Sequence, residues 1–142
     1  VKRVEEVMTC DPMHISPDVP IRRALELMRQ GGFRRLPVVE GGKVVGILSD
    51  RDLRRAMNTP MVVHEKGRDD YIMDHVPVGA CMTAEVATLS PGDSLEAAAK
   101  RLRALKVGGC PVVDEAGRLV GILTESDLLD YLIRCLEAGA IA

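Results

Sequence analysis

Apolar positions fall into two spacings along this chain, and the same succession of spacings is written twice. Ile21, Ala24, Leu25 and Met28 lie on one helical face, and Leu95, Ala98, Leu102 and Leu105 repeat the pattern. A strand at Leu36 to Val39 is followed by the turn Glu40-Gly41-Gly42 and by a nearly continuous apolar run, Val44 to Leu48. The second copy has Asp114-Glu115-Ala116-Gly117 as its turn and Leu119 to Leu123 as its apolar run. Runs of this kind are expected to be buried on both faces. Second helices are expected near Asp50 to Met57 and Glu125 to Leu136. Short extended pieces, Met13 to Ser16 and Val86 to Ser90, precede Pro17 and Pro91, and Asp93 and Ser94 are N-cap candidates. Gly31-Gly32 and Gly108-Gly109 supply the breaks after the first helices. Each copy therefore reads β-α-β-β-α.

The duplication is explicit. A shift of 74 places Met8-Thr9 on Met82-Thr83, Ser16-Pro17 on Ser90-Pro91 and Pro37-Val38-Val39 on Pro111-Val112-Val113. After the turn the shift becomes 75, so that Gly46-Ile47-Leu48 meets Gly121-Ile122-Leu123 and Asp52-Leu53 meets Asp127-Leu128. The boundaries expected are motif 1 at 1–57, a linker at 58–79 and motif 2 at 80–142. In the linker, Tyr71-Ile72-Met73 is expected to form one docked helical turn, and the run HEKGRDD to be solvated. One copy has too little core to stand alone. The two are expected to pack face to face about a pseudo-two-fold axis, leaving symmetric clefts suited to a ligand.

Composition narrows the function. With 142 residues, net charge −2 and a pI of about 5.9, the chain has no global attraction for a polyanion. Two Tyr, one Phe and no Trp give no base-stacking platform, so nucleic acid is not an expected partner. No apolar run approaches the roughly 20 residues of a membrane helix, and no membrane partner is expected. Cys10, Cys81, Cys110 and Cys135 lack metal-knuckle spacing and read as reduced thiols of a cytoplasmic protein. His14, His64 and His75 are scattered singly, and no metal site is expected. The chain opens on Val1 rather than Met, as expected of a processed chain or of a piece of a longer one. No Walker loop, Gly-x-Ser-x-Gly or nucleophile beside a histidine is present, so no catalytic residues are expected and the chain reads as a non-enzyme.

The residues that suggest chemistry are Ser49-x-x-Asp52 and Thr124-x-x-Asp127, each at a strand-to-helix junction. One reading is a helix capping box. The other is a ligand site, with hydroxyl and helix-start N–H groups for an anion.

The duplicated phrases, from Val7-Met8-Thr9 and Cys81-Met82-Thr83 through Pro-Val-Val and Gly-Ile-Leu to the Ser/Thr-x-x-Asp, resemble the CBS domain. Two in tandem are similar to a CBS pair, or Bateman module. Phe33-Arg34-Arg35-Leu36-Pro37 and the long linker look most like the free-standing pairs related to acetoin utilisation. The resemblance implies regulation through an adenosine-containing small molecule, AMP, ADP or ATP, with S-adenosylmethionine as a further possibility and no required cofactor. It also implies a disc-shaped homodimer and an unidentified regulated protein. By the same resemblance Asp52 and Asp127 take the ribose hydroxyls, and Arg34 and Arg35, with Arg51, face phosphate. The base would lie against Thr9, Met13 and Ile15 in copy one, and against Thr83, Ala87 and Leu89 in copy two. Copy two has Gly108, Gly109 and Ser126 in place of the three arginines, so the first cleft is expected to prefer phosphates and the second something less anionic. An arginine could still reach across, because clefts borrow residues from both copies. The alternative is a dimerisation or interaction module with degenerate clefts.

Overall fold

The computed structural model describes residues 1–58 and 66–139, so the linker residues from Thr59 to Glu65, including His64, lie outside the described residues. After a 3-10 turn at Val4–Glu6 come β1 (Thr9–Cys10), α1 (Ile21–Gly31), β2 (Arg35–Glu40), β3 (Lys43–Ser49) and α2 (Asp50–Met57). Then follow α3 (Lys66–His75), α4 (Val78–Cys81), β4 (Thr83–Ala84), α5 (Leu95–Leu105), β5 (Gly109–Val113), β6 (Leu119–Thr124) and α6 (Glu125–Glu137). This is the mixed α/β class expected. The chain forms two compact units, one of Met13–Val86 and one joining Val1–Pro12 to Ala87–Ala142.

Each unit holds a three-stranded antiparallel sheet, β2-β3-β4 in one and β1-β6-β5 in the other. The third strand is the Met-Thr segment that stands at the head of the opposite repeat: Thr83 pairs with Ile47, and Thr9 with Ile122. The extended pieces expected as strands shrink to single parallel bridges, Ile15 to Val38 and Leu89 to Val112.

Glycine makes the exchanged strand possible. A Cβ on Gly46 would stand 2.6 Å from the Met82 sulfur and 2.9 Å from the Thr83 carbonyl oxygen. On Gly121 it would stand 2.5 Å from the Met8 sulfur and 3.0 Å from the Thr9 carbonyl oxygen. The same segments tie down the helix starts. Ile21 N–H donates to the Val76 carbonyl at 3.0 Å, and Leu95 N–H to that of Lys2 at 2.8 Å. These bonds satisfy donors that a helix leaves open at its first turn. The chain leaves β1 and β4 through Asp11 (φ 44°) and Glu85 (φ 54°), which hold the same place in the two repeats. A left-handed non-glycine residue costs about 1–2 kcal/mol, so the packing of the exchanged strands must hold these turns.

The cores follow the sequence pattern with local differences. Ile21, Ala24 and Met28 are buried on α1, but Leu27 completes that face while Leu25 is only half-buried. On α5 Leu105 is exposed. Gly32 (φ 69°) caps α1 as expected, whereas Lys106 (φ 55°) caps α5, and Gly109 instead opens β5. Val44, Val45 and Ile47 of β3 are half-buried, so that strand is not buried on both faces as its composition suggested. Tyr71-Ile72-Met73 belongs to α3, a helix of 10 residues, with Ile72 and Met73 against the core of the Met13–Val86 unit. Part of the charged run is engaged: Asp70 and Asp74 both pair with Arg22, which holds the Asp74 carboxyl below its ordinary range.

Gly46→Ala is expected to destabilise the protein by about 1–3 kcal/mol, because the Met82 sulfur can swing aside but the Thr83 carbonyl cannot. Gly92→Ala, where a Cβ meets open space, is expected to stay within about 0.5 kcal/mol of wild type. Urea denaturation of both variants checks this.

Candidate ligand-binding site

Ser49 ends β3 in an extended conformation (φ −107°, ψ 165°), and α2 begins at the next residue. Its hydroxyl oxygen accepts the Asp52 N–H at 3.1 Å, and its own N–H donates to Asp52 Oδ2 at 2.8 Å. Thr124 and Asp127 repeat this reciprocal box at 3.3 and 2.9 Å, and the Thr124 hydroxyl also donates to Asp127 Oδ2 at 3.0 Å. Both are therefore capping boxes. The box occupies one oxygen of each carboxylate and fixes its orientation. The second oxygen, Oδ1, is left for other partners.

Those partners differ between the units. Asp127 Oδ1 accepts the Thr9 hydroxyl at 3.0 Å. Asp52, only 7% exposed, has Arg55 Nη1 at 3.9 Å from its Oδ1. Thr9, a candidate of copy one, and Thr83, of copy two, each join the sheet of the opposite copy: β1 carries Thr9 to β6, which leads into Thr124, and β4 carries Thr83 to β3, which leads into Ser49.

Ile15 and Leu89 are core residues, buried at 5% and 2% exposure. Their main chains cannot read a base, since Ile15 N–H donates to Pro37 and its carbonyl accepts from Val39, while Leu89 does the same with Pro111 and Val113. Met13 is exposed and Ala87 half-buried, so these stay accessible. The Thr88 carbonyl, one residue on from Ala87, accepts Arg101 Nη1 at 2.8 Å.

The helix starts offer less to an anion than the sequence suggests. Asp50 N–H donates to the Arg34 carbonyl at 2.8 Å and Glu125 N–H to that of Gly108 at 3.0 Å. With the Asp52 and Asp127 N–H groups in the boxes, Arg51 and Ser126 are left as the first-turn donors.

The arginines separate. Arg35 lies directly across from Ser49 in the β2–β3 register and so shares its face of the sheet. Arg34, the preceding residue, instead lines a cavity of about 350 Å³ walled by Leu25, Met28, Phe33, Leu53 and Met57. Arg51 is exposed on α2.

Two neighbours of Asp52 lie outside the Ser-x-x-Asp motif. Arg55 is one, three residues beyond Asp52 on the same helix, a spacing the sequence alone shows. Cys81 is the other: burial, and then the Asp52 carboxylate, push its thiol above the ordinary value. It comes from the exchanged segment, so no local spacing announced it.

The CBS domain family model matches residues 4–59 and again 78–134. The chain belongs to the CBS domain family. This CBS pair is 37% identical over 136 residues to a CBS domain-containing protein of Dictyostelium discoideum, covering 94% of this chain and 93% of that one. Among solved structures, it is similar to one described as an acetoin utilization protein from Vibrio cholerae, with TM-score 0.81, 29% identity and coverage of 97% and 95% of the two chains. It is also similar to the CBS-pair protein CBSX2 from Arabidopsis thaliana, solved in complex with AMP, with TM-score 0.80, 28% identity and coverage of 94% and 98%.

Ser49→Ala is expected to cost about 1 kcal/mol in the absence of any ligand, through loss of the cap. Thr9→Val is expected to cost about 0.5–1.5 kcal/mol by removing the bond to Asp127. Thr83→Val is expected to cost less, because no hydroxyl bond from Thr83 is present among the described residues. Thermal melts of the three variants check the order.

Proposed function

We propose that this CBS pair is a regulatory ligand-sensing module. It binds an adenosine compound, AMP, ADP or ATP, at Asp52, at Asp127 or at both, and modulates a protein still to be identified. One observation carries the reading: each carboxylate is locked by its capping box through one oxygen, with the other turned to a different partner. Asp52, with one lone pair engaged by the box, keeps acceptor sites on both oxygens for the two O–H groups of a ribose diol, whereas Asp127 would take the diol by giving up the Thr9 hydroxyl. The structural likeness to an AMP-bound CBS-pair protein supports the choice of nucleotide. No catalytic step and no resident cofactor is required. S-adenosylmethionine is the alternative ligand, with the same ribose. Four free thiols fit a reducing compartment such as the cytoplasm.

A second reading, an interaction module with degenerate sites, draws on Thr9, whose hydroxyl already occupies Asp127 Oδ1. The two readings separate by thermal shift. A ligand that binds only the native state at 100 times its Kd adds about 2.7 kcal/mol of stability. AMP or ATP is expected to raise Tm, and Asp52→Asn to reduce the shift. An unchanged Tm with AMP, ATP and S-adenosylmethionine would favour the interaction module.

The module is further proposed to act as a homodimer. Leu129, Leu132, Ile133 and Leu136 form an exposed apolar stripe on α6. Leu132→Glu is expected to shift the protein from dimer to monomer in sedimentation velocity, with an unchanged far-ultraviolet circular-dichroism spectrum. A wild-type monomer would contradict the proposal.

A further inference from the structure

The geometry points to two ligand sites of opposite charge preference, set by Arg55 and Asp130. The Ser49/Asp52 site takes an adenosine compound with an anionic 5′ chain. The Thr124/Asp127 site takes one whose 5′ group is neutral or cationic. This rests on the adenosine-binding reading above.

Arg55 and Asp130 hold the same place in the two repeats, three residues beyond the ribose carboxylate on the following helix. Arg55 Nη1 stands 3.9 Å from Asp52 Oδ1, so its guanidinium lies at the open side of that carboxylate. Arg35 faces Ser49 across the hairpin, and Arg51 precedes Asp52 on α2. The corresponding residues in the other unit are Gly109 and Ser126. At these three positions the first repeat carries three arginines, with Arg55 placed beside Asp52, and the second carries a glycine, a serine and the carboxylate of Asp130.

The fold does not require this difference. Both units build the same hairpin, the same box and the same helix start. The neighbouring acidic position is the same in kind, Asp50 in one and Glu125 in the other, so it does not offset the contrast. Guanidinium groups match phosphate oxygens in geometry and charge. A carboxylate at position 130 repels a phosphate and attracts a cation such as a sulfonium.

The hydroxyls point the same way. The Thr124 hydroxyl spends its proton on Asp127. The Ser49 hydroxyl accepts from Asp52 N–H, and its proton has no acceptor among the described residues, so it can donate to a phosphate oxygen. Thr9 already satisfies Asp127 Oδ1 with a neutral donor, whereas Asp52 Oδ1 has a cation beside it.

The test is isothermal titration calorimetry of the full chain with ATP and with S-adenosylmethionine, whose sulfonium supplies the cationic 5′ group. Asp52→Asn, Asp127→Asn, Arg55→Asp and Asp130→Arg are compared with wild type. ATP is expected to fill one site per chain, lost in Asp52→Asn and kept in Asp127→Asn, with S-adenosylmethionine showing the converse. Arg55→Asp is expected to weaken ATP by about tenfold or more and to leave S-adenosylmethionine unchanged. Asp130→Arg is expected to open a second ATP site. Arg55 and Asp130 are both exposed, so their substitution tests charge without disturbing the core. Two equal ATP sites in the wild type would overturn the inference, as would Arg55→Asp and Asp130→Arg variants that bind both ligands like wild type. Binding of neither compound would overturn the adenosine-binding reading itself.

Discussion

Two places in the sheets have no room for a methyl group, and the architecture depends on both. At Gly46 and Gly121 a neighbouring strand crosses so closely that a Cβ would press on its methionine sulfur and threonine carbonyl. That strand comes from the head of the opposite repeat. Its close approach completes each sheet and carries a threonine toward a strand-to-helix junction, and the chain some seven residues before it accepts a bond from the start of α1 or α5. The Met-Thr pair and the Gly-Ile-Leu phrase recur in the sequence because each is the other's packing partner.

The junctions then do two things with one side chain. Asp52 and Asp127 close capping boxes with Oδ2 and present Oδ1 outward from the box. Capping and ligand binding are competing explanations only while the carboxylate is treated as a single acceptor. Divided by oxygen, the cap becomes the device that orients the group proposed to bind ligand, at a stabilisation of about 1 kcal/mol that needs no ligand.

The fold class, the two copies, both hairpins and the helices α1, α2, α5 and α6 were legible in the sequence, since periodicity and turn residues are local signals, whereas α4 and the length of α3 were not. Asp50–Met57 is an example: the capping residues before it and its apolar spacing are sufficient. The third strands were not legible. Thr9-Cys10 and Thr83-Ala84 are too short to carry a period, and their partners lie far away in sequence. Those distant pairings are what bring Thr9 toward Thr124 and Thr83 toward Ser49, and the Cys81 thiol near Asp52. Arg34 and Arg35 are adjacent, and adjacent residues beside a strand face opposite ways, which is why Arg35 lies across from Ser49 while Arg34 lines the cavity. Arg55 is legible from spacing alone, since it lies one helical turn beyond Asp52.

The central claim is that the outward oxygens of these carboxylates are the ribose-binding groups of a CBS pair. A crystal structure of the protein grown with AMP tests it most directly. The account predicts ribose hydroxyls within hydrogen-bond distance of Asp52 or Asp127, with the capping-box bonds through Oδ2 kept. AMP bound elsewhere, with Asp52 Oδ1 still turned to Arg55 and Asp127 Oδ1 still holding Thr9, would contradict it.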